Sequence, residues 1–138
     1  MPTLDTSRSI LKLEDFYFSN IQFTRNDSFT NYDDKDVEIS LGKKIETADG
    51  KLVVQIALRS YLKDHFELNL VAIGNFSCSS TDTNVELFQK NAIAIMFPYI
   101  RSEITLLTAQ PNMKPIMLPP ININALFEHQ DKINSSDE

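Results

Sequence analysis

Apolar and polar positions alternate along "ILKLEDFYFSNIQFT" (Ile10 to Thr24), but the alternation changes parity twice. Leu11 and Leu13 share one parity, Phe16 and Phe18 take the other, and Ile21 and Phe23 return to the first. Successive side chains of a strand point to opposite faces, so each change of parity requires a bulge or a twist if one face is to stay apolar. A long, kinked strand is expected here. Val37, Ile39 and Leu41 alternate with Glu38 and Ser40 and give a second, half-buried strand. Asp49-Gly50 in "TADGK" (47–51) is a hairpin signal leading into a third strand, with Leu52, Val54, Ile56 and Leu58 on one face. "LKDH" (62–65) is a tight connection to a fourth, with Phe66, Leu68, Leu70 and Ala72 on one face. Between the first two strands, "RNDSFTNYDDKD" (25–36) is polar and turn-rich, with two isolated aromatics, Phe29 and Tyr32, and reads as a crossover loop.

After the fourth strand the period becomes helical. Thr83 and Glu86 form a T-x-x-E capping box, and Val85, Leu87, Phe88 and Ala92 follow at helical spacing. Asn91 is a candidate restart after a break, and a helix containing Pro98 continues to Ala109. An interior proline removes one backbone hydrogen bond and clashes with the carbonyl four residues back, so a kink is expected near Ala94. "QPNMKPIMLPPININALFE" (110–128) has four prolines and starts extended. Asn122 or Asn124 can cap a short last helix carrying Leu126 and Phe127. The expected fold class is α+β, a four-stranded antiparallel meander sheet packed on a long broken helix, with a short C-terminal helix. The expected organisation is a flexible N-terminus (1–9), one domain (10–128) and a flexible acidic tail (129–138).

One feature of the helix strains this plan. Ile93, Ile95, Met96, Phe97, Tyr99 and Ile100 cover more than one of its sides, and a helix apolar all round must be buried all round. The sheet covers one side. The rest is covered either by the C-terminal segment or by another subunit, which makes these six residues a candidate oligomer interface. "PIMLPPININALF" is likewise too apolar for a free tail. It packs on the sheet or helix, or acts as a flap over an apolar ligand groove.

Composition narrows the function. The chain has 138 residues, 42% hydrophobic and 23% charged, the balance of one globular domain. Its net charge of −6 disfavours phosphate backbones and anionic lipid, so neither nucleic acid nor membrane is expected as a partner. There is no secretory signal pattern, and the longest apolar run, Ala92 to Ile100, is far short of the ~20 residues of a membrane helix. A cytoplasmic protein is expected. The single cysteine, Cys78, follows Phe76 on a strand face with no activating base in view. His65 and His129 have no Cys, His or carboxylate neighbours at metal-ligand spacing. Asp27, Asp33, Asp34 and Asp36 lack the glycine and terminal glutamate of a calcium loop and read as a solvated acidic loop. No catalytic residue, cofactor or metal is expected, and an enzyme is disfavoured.

"AIMFPYIRSEITLLTAQPNMKPIMLPPININALF", with F-P-Y-x-R on the helix, a proline-rich stretch and N-x-x-A-L-F, resembles the C-terminal signature of the SecB export-chaperone family. "FYFSNIQF" and "NLVAIGNFS" resemble that family's first and fourth strands, so the likeness spans roughly residues 15–128. It implies a homotetramer, a dimer of dimers with helices sandwiched between sheets. It also implies an ATP-independent holdase that keeps unfolded preproteins export-competent for the Sec pathway. In the family the client groove runs between sheet, crossover loop and C-terminal segment, which places client contacts here at Phe29, Tyr32, Ile39, Leu41, Met117, Leu118, Ile121, Leu126 and Phe127. The family hands clients to the SecA motor through acidic residues on the outer sheet face. The corresponding positions here, Asn20, Thr24 and Asn69, are neutral, and nearby Glu67 does not restore the pattern. The resemblance therefore also implies a second role beside export, that of a dedicated chaperone for a disordered antitoxin segment in a toxin–antitoxin system, without SecA.

Overall fold

The computed structural model describes residues 11–26, 32–78 and 85–118, together with Ile123, Ala125 and Phe127 of a C-terminal helical stretch. Four strands, β1 (Leu11–Arg25), β2 (Glu38–Ala48), β3 (Lys51–Leu62) and β4 (Phe66–Cys78), precede one long helix, α1 (Val85–Thr108). All neighbouring strands are antiparallel, in the order β1-β4-β3-β2. Strands β2, β3 and β4 form the meander. β1 lies outside it, beside β4, because the crossover carries the chain from one edge of the sheet to the other.

The β2–β3 hairpin turns at Asp49-Gly50, both at positive φ (41° and 76°), the geometry that the favoured two-residue hairpin turn requires. The β3–β4 turn closes with the His65 N–H donating to the Leu62 carbonyl at 3.0 Å, and Asp64 takes the left-handed conformation.

Both parity changes of β1 coincide with register shifts against β4, at Leu13/Asp15 and Phe18/Asn20. These bulges keep the apolar residues in phase. Leu13 opposes Phe76, Phe16 opposes Gly74, Phe18 opposes Ala72, Ile21 opposes Leu70 and Phe23 opposes Leu68. The same face continues onto β3 and β2 in rows such as Leu70, Leu58 and Leu41, or Leu68, Ser60 and Ile39.

The helix lies on this face. Phe88, Ala92, Ile93, Met96, Phe97, Ile100 and Ile104 are buried in one cluster with the inner residues of β3 and β4. Gly74 lets the helix approach, because a Cβ there would stand 2.7 Å from the Met96 Sδ and 2.9 Å from Phe76 Cε1. The expected break at Asn91 is absent, and α1 runs unbroken through Pro98. Ala94 and Pro98 are both exposed, so the carbonyl that loses its intrahelical donor faces water. Thr83 of the capping box and the cap candidates Asn122 and Asn124 lie outside the described residues.

Candidate functional site

Beyond α1 the chain forms an extended strap, pinned by side chains from three other parts of the fold. Gln110 Nε2 donates to the Leu107 carbonyl at 3.0 Å and covers one of the carbonyls that every helix end leaves open. Asn112 then turns the chain at φ 56°. The Arg25 guanidinium, at the end of β1, donates to the Pro111 carbonyl at 2.5 Å and the Asn112 carbonyl at 2.8 Å. The Tyr32 hydroxyl, from the crossover, donates to the Lys114 carbonyl, and the Lys114 ammonium lies 5.9 Å above the Tyr32 ring. From α1, the Thr105 hydroxyl donates to the Ile116 carbonyl, and the Ile116 N–H donates to the Thr108 hydroxyl, both at 2.8 Å. Met113 and Ile116 are thereby buried, while Met117 between strap and solvent is 74% exposed. Farther on, Ile123 and Phe127 are buried in the core, and the Lys43 ammonium sits 5.0 Å from the centre of the Phe127 ring.

Among the residues expected to touch a client, Tyr32, Leu41 and Phe127 are buried within the chain's own core. Tyr32 packs on Phe66, with ring centres 5.9 Å apart. Ile39 and Met117 are exposed and Leu118 is half-buried. Phe29, Ile121 and Leu126 lie outside the described residues. Of the six helix residues, Ile93, Met96, Phe97 and Ile100 face the sheet, whereas Ile95 and Tyr99 face outward. Leu87 and Leu106, the latter 67% exposed, continue that outer side. Tyr99 also leans on Phe16 of β1, with ring centres 5.1 Å apart.

At the end of the sheet near the strap, a cleft of about 780 Å³ opens between Tyr32, Leu62 and Lys114 and a polar wall of Asp33, Asp36, Glu38, Tyr61, Lys63 and His65. Hydrogen bonding to the Glu38 carboxylate, then burial and the charge of Glu38, push the Tyr61 phenol up from its ordinary value, against the pull of Arg59. Arg59 stacks over the Tyr61 ring at 4.1 Å and pairs with Glu67 on the outer face. Burial raises the Cys78 thiol, which disfavours the reactive thiolate. Among the described residues, no group of three or more His, Cys, Asp and Glu could hold a metal ion, and no helix is long and apolar enough to cross a membrane. Asn20, Thr24 and Asn69 lie on the outer face, in register with Val71, Glu67 and Gln22.

Two residues of the site carried no sequence signal. Arg25 and Thr108 read as a loop residue and a helix end, yet they hold the strap. Lys43 falls on the core side of β2, opposite Ile56, because it continues the parity of Ile39 and Leu41. Following that parity two residues farther would have found it.

The chain is similar to known proteins in sequence and in fold. An uncharacterised protein of Methanocaldococcus jannaschii is 26% identical over 137 residues, covering 89% of this chain and 86% of that protein. In structure, the chain is similar to the SecB-like chaperone of Mycobacterium tuberculosis solved in complex with a ChAD peptide from the HigA1 antitoxin. That likeness has a TM-score of 0.66 at 16% identity and covers 80% of this chain and 87% of that one, a likeness of fold. The sequence model described as "Preprotein translocase subunit SecB" matches residues 7–134. With that match running through the sheet, the long helix and the strap, the chain belongs to the SecB family.

Proposed function

We propose that the protein is an ATP-independent holdase that binds unfolded polypeptides through apolar surface and keeps them competent for export by the Sec pathway. The observation that carries this function is the family match over residues 7–134. The exposed apolar side chains supply a physical basis. Ile39 and Met117, with half-buried Leu118, border the strap and the β2 edge. An unfolded chain covering such surface gains roughly 25 cal/mol per Å², with no nucleotide needed. Chains that fold quickly hide their apolar residues and escape. The client contacts are Ile39, Met117 and Leu118, together with Phe29, Ile121 and Leu126 from the family resemblance, and they extend to Tyr32, Leu41 and Phe127 once the strap shifts. The outward side of α1, with Leu87, Ile95, Tyr99 and Leu106, is the contact between subunits of a cytoplasmic homotetramer, a dimer of dimers. No reaction, cofactor, nucleic acid or membrane insertion is part of this function.

A dedicated antitoxin chaperone is the second function, and a specific observation favours it. Asn20, Thr24 and Asn69 leave the outer sheet face without carboxylates at the positions used for SecA, and Glu67 is already paired with Arg59. A basic partner gains little from such a face. The solved relative of similar fold holds a peptide of an antitoxin.

Size-exclusion chromatography with light scattering, alone and with a non-folding polypeptide, tests both. A tetramer that co-elutes with the unfolded chain and ignores its folded form supports the holdase. A tetramer that ignores generic unfolded chains but binds an antitoxin segment supports the dedicated role. A stable monomer that binds neither sinks both.

A further inference from the structure

Among the described residues, the inner face of the sheet holds a buried polar atom without a partner. Ser60, on β3, is 1% exposed, and its Oγ has no hydrogen-bond partner among the described residues. Its cross-strand neighbours are Leu68 on β4 and Ile39 on β2, and Leu58 and Leu62 flank it on the same face. A buried hydroxyl without a partner destabilises the free protein, and alanine would fit the row without that cost. The position is nevertheless close to solvent. Ile39, directly beside it, is 41% exposed. Leu62, the next inner residue of β3, lines the 780 Å³ cleft together with Tyr32 and Lys114. Tyr32 reaches over this corner, packed on Phe66 and fastened to the strap through the Lys114 carbonyl.

We propose that the Ser60 hydroxyl is a concealed polar anchor for the main chain of a bound polypeptide, reached between Ile39 and the Tyr32–Lys114 contact. It rests on the holdase function proposed above and adds a specific contact to it. An extended polypeptide is the occupant because it offers what this corner lacks on both counts. Its side chains cover the exposed Ile39 and the apolar row beside it, and its peptide groups carry a donor and an acceptor at every residue. Ser60 can give or take a hydrogen bond, so it selects no particular side chain, as suits a site for varied unfolded chains.

The test uses the full chain and reduced, carboxymethylated α-lactalbumin as a permanently unfolded probe, with affinity read by titration calorimetry and folding by thermal melting. Ser60→Ala is expected to bind at least about five-fold more weakly, the size of one lost hydrogen bond, while melting no lower than the unaltered protein. Ser60→Thr, which keeps the hydroxyl, is expected to bind more tightly than Ser60→Ala. An affinity within two-fold of the unaltered protein for Ser60→Ala overturns the proposal. A lower melting temperature for Ser60→Ala also overturns it, because a hydroxyl that stabilises the free chain already has a partner there. If the unaltered protein fails to bind the probe at all, the generic holdase function falls, and the same variants are read against an antitoxin-derived peptide.

Discussion

The fully buried hydroxyl of Thr108 receives the Ile116 N–H at 2.8 Å and donates to the Ile104 carbonyl at 2.7 Å, joining the last turn of α1 to the strap. Thr108→Val keeps the shape but leaves the Ile116 N–H buried without an acceptor. The expected loss is about 1–3 kcal/mol of folding stability, with a much smaller loss for Thr108→Ser. Urea unfolding of the two variants checks this, and equal stabilities would show that the hydroxyl does not hold the strap.

Arg25 is the second fastening. Its guanidinium serves two carbonyls at once, a geometry that lysine cannot reproduce. Arg25→Lys and Arg25→Ala should both speed amide hydrogen exchange in residues 110–118 while leaving β3 and β4 protected. Uniform acceleration throughout the chain would mean that Arg25 supports the whole fold rather than the strap.

Gly74 is required by its neighbours rather than by its own backbone conformation. Gly74→Ala drives a methyl group into Met96 and Phe76 and should destabilise the protein by about 1–3 kcal/mol. In a Met96→Ala background the same change should cost less, with a coupling of at least about 0.5 kcal/mol in a double-mutant cycle. Additive effects would argue against the close contact.

Tyr61 gives an alkaline signature. Its folded pKa is raised above the ordinary value, chiefly through its hydrogen bond with Glu38, so the fold favours the neutral phenol. That contribution is complete below the unfolded value of ~10 and is lost as pH rises through the folded value. Denaturation midpoints of the unaltered protein should therefore fall above pH ~10 more steeply than those of Tyr61→Phe. Parallel curves would remove Tyr61 from the account.

Ile95 and Leu106 point away from the chain's own core. Replacing both with lysine should change the stability of an isolated subunit by only about 0.5 kcal/mol each but lower the mass measured by light scattering. An unchanged mass would remove this side of α1 from the proposed subunit contact.

Much of this was legible in the sequence, for reasons that can be named. The parity changes around Glu14 and Ser19 located both bulges of β1, because a strand with one buried face has no other way to keep Leu13, Phe16 and Ile21 inward. The apolar girth of the helix does not by itself say which of its residues the sheet covers. Ile93, Met96, Phe97 and Ile100 go to the sheet and Ile95 and Tyr99 to the other side, a division set by the rotation of α1 on its bed. The strap was the least legible part. Its fastenings join Arg25 to Pro111 and Tyr32 to Lys114, and no local period announces a contact between residues so far apart in the chain.

The place of β1 in the sheet has a consequence for how the protein itself is made. β1 is the first of the four strands to be synthesised, yet among the described strands its one neighbour is β4, from Arg25 opposite Phe66 to Leu11 opposite Cys78. The β2–β3–β4 hairpins can close as they emerge, whereas β1 must wait for the fourth strand, on the order of seconds at ~5–20 residues per second. Throughout that interval Phe16, Phe18 and Phe23 have no sheet to cover them. During its own birth this chain passes through the kind of exposed, apolar, unpaired state that it is proposed to shelter in others.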